Sequence, residues 1–214
     1  MRNPLPSRLL VVTDRLGARR PLAETVRAVL EGGGRWIWLR ERDLDAPVRR
    51  DLARDLLGIV RGAGGRLVVG ADPDLCAAIG ADGVHLPGAT TAPEVAAARR
   101  RLGPAALIGV SAHGAADLAE AAEADYVTLS PIFASASKPG YGPALGLDGL
   151  RAGCAAGIPV IALGGIAPEA APACRAAGAA GVAVMGGLMR AQDPAAAART
   201  FLDAVAGSGR ILRG

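Results

Sequence analysis

Lysine, asparagine and glutamine are almost absent from this 214-residue chain. Lys138 stands alone against 23 arginines, and Asn3 and Gln192 are the single Asn and the single Gln. A polar site in the body of the protein must therefore be built mainly from Ser, Thr, Asp, Glu, His, Arg and backbone amides. Aromatic residues make up only 3% of the chain, which leaves no stacking platform for single-stranded nucleic acid. Because the net charge of +4 is also scattered, we expect no nucleic-acid partner.

Cysteines and long apolar runs are scarce as well. Cys76, Cys154 and Cys174 are odd in number and show neither CxxC nor zinc-finger spacing, which argues against a disulfide framework or a structural zinc site. No apolar run reaches the roughly 18 residues that cross a bilayer, and residues 1–8 lack the apolar core of a signal peptide. We expect a cytoplasmic protein without a membrane partner, and the sequence leaves homo-oligomerisation open.

Hydrophobic residues are abundant, at 51%, and they recur in eight short runs of β type that alternate with helical stretches. Strands are predicted at 9–13, 36–40, 66–69, 83–86, 107–111, 126–130, 160–163 and 182–185. Helices are predicted at 21–32, 46–62, 73–79, 93–102, 115–122, 147–155, 168–177 and 194–205. Several of these helices have proline at their start and glycine just past their end, as helices commonly do.

Strand and helix alternate with a period of about 25 residues, which indicates parallel strands joined by crossovers. Eight such units predict a single (β/α)8 TIM barrel over residues 1–206, followed by a flexible tail at 207–214. A doubly wound open sheet is the alternative, but residues 12–15 lack the glycine-rich fingerprint expected after its first strand.

In a TIM barrel the active site lies at the carboxyl ends of the strands, and two glycine pairs fall there. Gly164-Gly165 follows the seventh strand and Gly186-Gly187 follows the eighth, each before a helical turn. Glycine allows backbone amides to approach an oxyanion, so we predict a phosphate site at these pairs. The alternative is that they only form tight turns.

The longest predicted loop, residues 131–146, follows the sixth strand and begins after Ser130. It carries Ser135, Ser137, Tyr141 and the single lysine, Lys138. A compact ammonium group beside hydroxyls suits a phosphate or pyrophosphate, and a solvated loop lysine is the alternative.

Two arginines end the second predicted strand. Arg40 and Arg42 alternate along it, so we expect them to share the face toward the barrel mouth while Glu41 points away. Paired guanidinium groups suit bidentate phosphate recognition. An ion pair with Asp43 or Asp45 is the alternative.

Both histidines of the chain fall at strand ends. His85 is either a hydrogen-bonded core residue or a catalyst. His113 follows Ser111 at the end of the fifth strand, which favours a place in the site.

Together these segments resemble the thiamine phosphate synthase and TenI-type thiazole tautomerase family over nearly the whole chain. The matching segments are Leu39-Arg-Glu-Arg42, Gly80-Ala-Asp-Gly-Val-His-Leu86, Ile108-Gly-Val-Ser-Ala-His113, Ala124-Asp-Tyr126, Ser130-Pro-Ile-Phe133, Ser135-Ala-Ser-Lys138, Ala162-Leu-Gly-Gly-Ile166 and Gly178-Ala-Ala-Gly-Val-Ala-Val-Met185.

The resemblance implies a barrel enzyme, a transferase of thiamine biosynthesis. Such synthases join a hydroxymethylpyrimidine diphosphate to a thiazole phosphate and release pyrophosphate, through a pyrimidine cation that the thiazole nitrogen traps. By position, the resemblance implies that Arg40, Arg42, Ser111 and Lys138 hold the diphosphate. Ser135 and Ser137 stand where the family usually has two threonines. Three glycines would bind the thiazole phosphate: Gly165, Gly186 and Gly187.

The chain departs from the family at the magnesium ligands. Gly70-Ala71 stands in place of an Asn-Asp pair, and Thr90 in place of an aspartate. Trp38 and Arg42 also replace a glutamine and a lysine. The sequence therefore assigns no cofactor, and Mg²⁺ stays an alternative although its usual ligands are absent.

Three functions remain open: a synthase with altered metal binding, a metal-independent tautomerase with His85, His113 or Glu41 as base, and a non-catalytic binder of thiazole or thiamine phosphate. In each case the partner is a small phosphorylated molecule.

Overall fold

In this computed structural model, which describes residues 2–134 and 143–207, eight parallel strands close into a barrel in chain order. β1 pairs with both β2 and β8, which completes the ring. The strands are β1 Leu9–Val12, β2 Trp36–Leu39, β3 Arg66–Gly70, β4 Gly83–Leu86, β5 Leu107–Ala112, β6 Tyr126–Leu129, β7 Val160–Leu163 and β8 Gly181–Val184. The predicted TIM barrel is confirmed, and the open-sheet alternative is wrong.

Helices follow the strands in the predicted order. They are α1 Leu22–Glu31, α2 Ala46–Gly62, α3 Pro73–Ile79, α4 Ala92–Leu102, α5 Ala115–Glu120, α6 Gly146–Cys154, α7 Ala171–Ala176, α8 Gly186–Met189 and α9 Pro194–Ala206. The helix predicted at 168–177 begins as a 3-10 turn, Pro168–Ala170. Of the tail predicted at 207–214, Gly207 alone belongs to the described residues. The described part of the chain has no helix long and apolar enough to cross a membrane.

Acidic and hydroxyl side chains determine where several helices begin. The carboxylates of Asp72 and Asp193 each accept a backbone N–H from the first turn of α3 and α9. Thr91 and Glu94 form a capping box at the start of α4. Such caps typically contribute about 1 kcal/mol each. The caps of α3 and α4 thereby fix the short loops that follow β3 and β4 at the barrel mouth.

Two aromatic residues fill the inside of the barrel where the neighbouring strands carry glycine. A Cβ on Gly70 would lie 2.9 Å from Nε1 of Trp38, and one on Gly109 would overlap the ring of Tyr126. Both aromatic side chains are buried, and burial of such a side chain contributes about 2–3 kcal/mol. The indole of Trp38 therefore occupies the space that any side chain at position 70 would need.

A larger apolar cluster lies between the strands and the surrounding helices. It joins one face of the strands, such as Leu9 and Ile37, to helical residues such as Val26 and Leu56. Since alternate residues of a strand point to opposite faces, each strand contributes to both the interior and this outer layer. The loops at the carboxyl ends of the strands are left to form the site.

Candidate functional site

The described part of the mouth contains a cavity of about 270 Å³ above β1 and β2, lined by residues 13–16 and 40–43. Its walls are the loops that follow the two strands. Thr13 joins these loops, because its Oγ1 accepts the backbone N–H of Arg40 at 3.0 Å. The cavity combines several charges of both signs at the place where barrel enzymes bind substrate.

Arg40 and Arg42 lie in this loop and not on the strand, because β2 ends at Leu39. Neither guanidinium forms an ion pair with an acidic residue among the described residues, so the alternative of a pair with Asp43 or Asp45 is wrong. Both side chains line the cavity. Their predicted role in holding an anion stays a prediction.

Glu41 is buried beside Arg15, and the expectation that it points away from Arg40 and Arg42 stays a prediction. Its side chain is 4% exposed and lines the same cavity. The carboxylate accepts the backbone N–H of Arg15 at 3.0 Å and lies 3.2 Å from Nη1 of the same residue. β2 ends at Leu39, so Arg40 and Arg42 follow the strand and do not belong to it. Arg15 also pairs with Asp43 at 2.7 Å, which ties the first two loops together.

Arg49, at the start of α2, is a further cation near the cavity that was not predicted from the sequence. Its buried guanidinium lies 3.1 Å from Asp72 and donates to the carbonyl oxygen of Gly70. Partial burial, followed by the positive charges of Arg40 and Arg49, lowers the pKa of Arg42 below its ordinary value. A bound anion would relieve this repulsion, so the electrostatics of the cluster favour one.

His85 is part of the barrel interior. It is fully buried, its ring stacks at 3.8 Å on that of Trp38, and its Nδ1 lies 2.9 Å from the hydroxyl of Tyr126. Its Nε2 contacts the hydroxyls of Ser111 at 3.1 Å and Thr128 at 3.3 Å. Burial, with the charge of Arg42, lowers the pKa of His85 to about 3. Of its two predicted roles, this geometry favours the hydrogen-bonded core residue.

His113 occupies the mouth above β5 and β6. Its Nδ1 donates to the carbonyl oxygen of Ser130 at 2.8 Å, which makes Nε2 the acceptor nitrogen of the neutral ring. A Cβ on Gly88 would lie 3.1 Å from this Nε2, so the ring also borders the loop after β4. The structure thus brings His113, Ser130 and Ser111 to one side of the mouth.

Local backbone structure explains the glycine pair after β7, and the pair after β8 begins a helix. Gly164 and Gly165 have φ of 99° and 63°, which other residues rarely adopt, and a Cβ on Gly165 would overlap the carbonyl oxygen of Ala134. Gly186 and Gly187 begin α8, as the expected helical turn. Since tight turns account for the first pair, phosphate binding at either pair stays a prediction.

Arg190 is a second cation that the sequence analysis missed. A Cβ on Gly186 would overlap its guanidinium group, and its Nη1 lies 3.8 Å from the carboxylate of Asp14. The signal was present in the spacing, because residues four apart in a helical turn face each other.

Ser135, Ser137, Lys138 and Tyr141 lie outside the described residues, and their roles stay predictions.

The residues at the expected magnesium positions do not fit the ion. Ala71 offers no side-chain oxygen, and the hydroxyl of Thr90 is buried and donates to a backbone carbonyl 2.7 Å away. The neighbouring Asp72 caps α3 and pairs with Arg49. Residues 2–134 and 143–207 contain no group of three or more His, Cys, Asp or Glu that could hold a metal ion. Mg²⁺ prefers several oxygen ligands, often one or two of them carboxylates.

A family model and several sequence relatives of this chain carry the same name. The family model described as thiamine monophosphate synthase matches residues 9–188, which include all eight strands. The thiamine-phosphate synthase of Moorella thermoacetica is 42% identical over 200 residues, which cover 92% of this chain and 94% of that protein. The thiamine biosynthesis bifunctional protein ThiM/ThiE of Symbiobacterium thermophilum is 44% identical over 205 residues, and this chain spans only 42% of its length.

A solved structure agrees with this assignment. Thiamine phosphate pyrophosphorylase from Pyrococcus furiosus matches with a TM-score of 0.81 and 29% identity, over 93% of this chain and 95% of the other. The resemblance stated from the sequence is confirmed, and so is the expectation of an enzyme similar to thiamine phosphate synthases. The chain belongs to the thiamine monophosphate synthase family.

Proposed function

We propose that this protein acts in thiamine biosynthesis by binding a thiazole phosphate at the C-terminal mouth of the barrel. We further propose that it joins this thiazole to a hydroxymethylpyrimidine diphosphate slowly and with little dependence on Mg²⁺. Family membership and the names of the relatives support the substrate class. The arrangement of charged residues around the mouth supports the weak dependence on the metal.

The observation that carries the proposal is that the mouth has arginines but lacks the carboxylates expected to bind magnesium. The two positions expected to hold magnesium carboxylates are Ala71 and Thr90. Arg40 and Arg42 line the cavity without an acidic partner among the described residues, and the charge of Arg49 acts on Arg42. Guanidinium groups bind phosphate oxygens bidentately, so this cluster can neutralise part of the charge that a metal ion would otherwise balance.

The chemistry needs an anion site more than it needs a base. The C–O bond between the pyrimidine methylene and the diphosphate breaks, and its electron pair leaves with pyrophosphate. The lone pair of the thiazole nitrogen then forms the new C–N bond. Negative charge develops on the leaving group, where fixed cations stabilise the transition state. Arginines lack the Lewis acidity of a divalent ion, which is worth several kcal/mol, so we expect a slow reaction.

A metal-independent tautomerase is the second candidate, and the position of His113 favours it. A proton transfer on a thiazole phosphate carboxylate needs a base at the mouth. The Nε2 atom of His113 is the acceptor nitrogen there, whereas His85 is fully buried and Glu41 is held by Arg15.

The test measures both activities with and without Mg²⁺. Purified protein is assayed for thiamine phosphate formation and for thiazole isomerisation, in Mg²⁺ and in EDTA, and thiazole phosphate binding is followed by calorimetry. We expect binding that changes less than about twofold between the two conditions, and condensation that Arg40→Gln reduces at least about tenfold. Arg27→Gln, an exposed arginine on α1, is the matched control and should behave like the unmodified protein.

Fast condensation that requires Mg²⁺, or stoichiometric Mg²⁺ binding at the mouth, would overturn the proposed metal independence. Isomerisation without condensation, abolished by His113→Gln, would establish the second candidate instead.

A further inference from the structure

We propose that Arg190 binds the phosphate group of the ligand at the barrel mouth, between the loop after β8 and the loop after β1. This inference rests on the proposed function, because it assigns one more side chain to the thiazole phosphate site. Its guanidinium group lies at the mouth, its backbone is held by neighbouring loops, and a carboxylate faces it.

The guanidinium of Arg190 lies directly against Gly186. Any Cβ at position 186 would overlap its Nη2 and Cζ atoms, so glycine is required there for this side-chain position. Gly186 follows β8 at the carboxyl end of the barrel and is one of the glycines expected to approach a phosphate. A cation packed on it lies within reach of the same ligand.

Three hydrogen bonds hold the backbone around Arg190 against the loop after β1. The backbone N–H of Arg19 donates to the carbonyl oxygen of Met189 at 3.3 Å, and Nε of Arg19 donates to the carbonyl oxygen of Arg190 at 2.7 Å. Arg20 donates to the carbonyl oxygen of Gln192 at 2.8 Å. These bonds connect residues about 170 positions apart in sequence. They fix the backbone from which the Arg190 side chain extends to the mouth.

The ion pair between Arg190 and Asp14 is long. Asp14 lines the mouth cavity, and its Oδ2 lies 3.8 Å from Nη1 of Arg190. Its other oxygen accepts the backbone N–H of Gly17 at 3.1 Å, which keeps the carboxylate in place. The Arg190 side chain is 45% exposed, so a ligand can reach it. A phosphate dianion offers a guanidinium group more charge than a carboxylate and can bind it bidentately, which a 3.8 Å ion pair does not.

Calorimetric titration of the purified protein with hydroxyethylthiazole phosphate tests the inference. Arg190→Gln should weaken binding at least about tenfold, since it removes charge-assisted hydrogen bonds. Arg190→Lys should lose clearly less affinity than Arg190→Gln, because an ammonium keeps the charge but binds phosphate as a point charge and not bidentately. Arg199→Gln, an exposed arginine on α9, is the matched control and should bind normally. All three variants should melt within a few degrees of the unmodified protein, as surface variants usually do.

Binding by Arg190→Gln within twofold of the unmodified protein would overturn the inference and leave the proposed function intact. Equal losses in the Gln and Lys variants would also overturn it, because charge would then not be what the ligand recognises.

Inorganic phosphate is the second probe and separates the two proposals. If the unmodified protein binds phosphate but not the thiazole ester, the proposed function fails and Arg190 is judged on phosphate alone. If it binds neither, both proposals fail.

Discussion

Burial of an uncharged histidine at the centre of the barrel should make the protein sensitive to acid. His85 is fully buried among Trp38, Tyr126, Ser111 and Thr128, and burial lowers its pKa to about 3. In the unfolded chain the pKa of the same imidazole is near its ordinary value of 6.5. Between these two values the unfolded chain binds a proton that the folded protein does not bind.

The sign and size of the effect follow from this difference. The free energy of unfolding rises with pH wherever the unfolded state binds more protons. The stability associated with neutral His85 is therefore complete above pH 6.5 and is lost as the pH falls toward 3. At about 1.4 kcal/mol per pKa unit, the whole window is worth about 5 kcal/mol, and about half of that is lost by pH 4.5.

Urea unfolding at pH 7.5 and pH 4.5 measures the loss. Tryptophan fluorescence is a suitable probe, because Trp36 and Trp38 are the only tryptophans of the chain and both are buried inside the barrel. The comparison is with His85→Gln, whose amide can hydrogen-bond to Tyr126 and Ser111 but does not titrate. The unmodified protein should lose about 2–3 kcal/mol more than the variant between the two pH values.

The comparison between the two proteins cancels the contribution of the carboxylates, which titrate in both. Equal losses in the unmodified protein and in His85→Gln would refute the reasoning. That outcome would mean that His85 is hydrated or protonated in the folded barrel, and it would return His85 to the candidates for a catalytic base.

Two further stability predictions concern loops at the mouth. Glu41→Gln should lower the free energy of unfolding by about 1–2 kcal/mol, since it removes the charge from a buried hydrogen bond. Asp43→Asn, at the exposed end of the same cluster, should lower it by less than about 0.5 kcal/mol. Urea unfolding measures both variants, and equal losses would contradict the difference in burial. Ala71→Gly should raise the free energy of unfolding by up to about 1 kcal/mol because Ala71 has a φ of 59°. Ala78→Gly, within α3, should lower the free energy of unfolding. If both variants are destabilised, backbone strain at position 71 is negligible.

The sequence by itself determined the barrel and nearly all of its element boundaries. Each predicted strand agrees with the observed one to within a residue, as Trp36–Leu39 and Val160–Leu163 illustrate. The reason is local, because apolar runs of four to six residues bounded by glycine, proline and capping residues leave few alternatives. The residues that follow the strands could also be assigned to the mouth, since parallel strands in a closed barrel end on one side.

Contacts within the site were decided only by the tertiary structure. β2 ends at Leu39, so the alternation of a strand does not decide how the side chains of residues 40–42 are oriented. The pKa of His85 is low because the residue is buried, and Trp38 and Tyr126, from two other strands, pack against its ring. Arg190 meets Asp14 across 176 positions of sequence because β8 pairs with β1. Local patterns specify the elements, whereas barrel closure determines which side chains meet at the mouth.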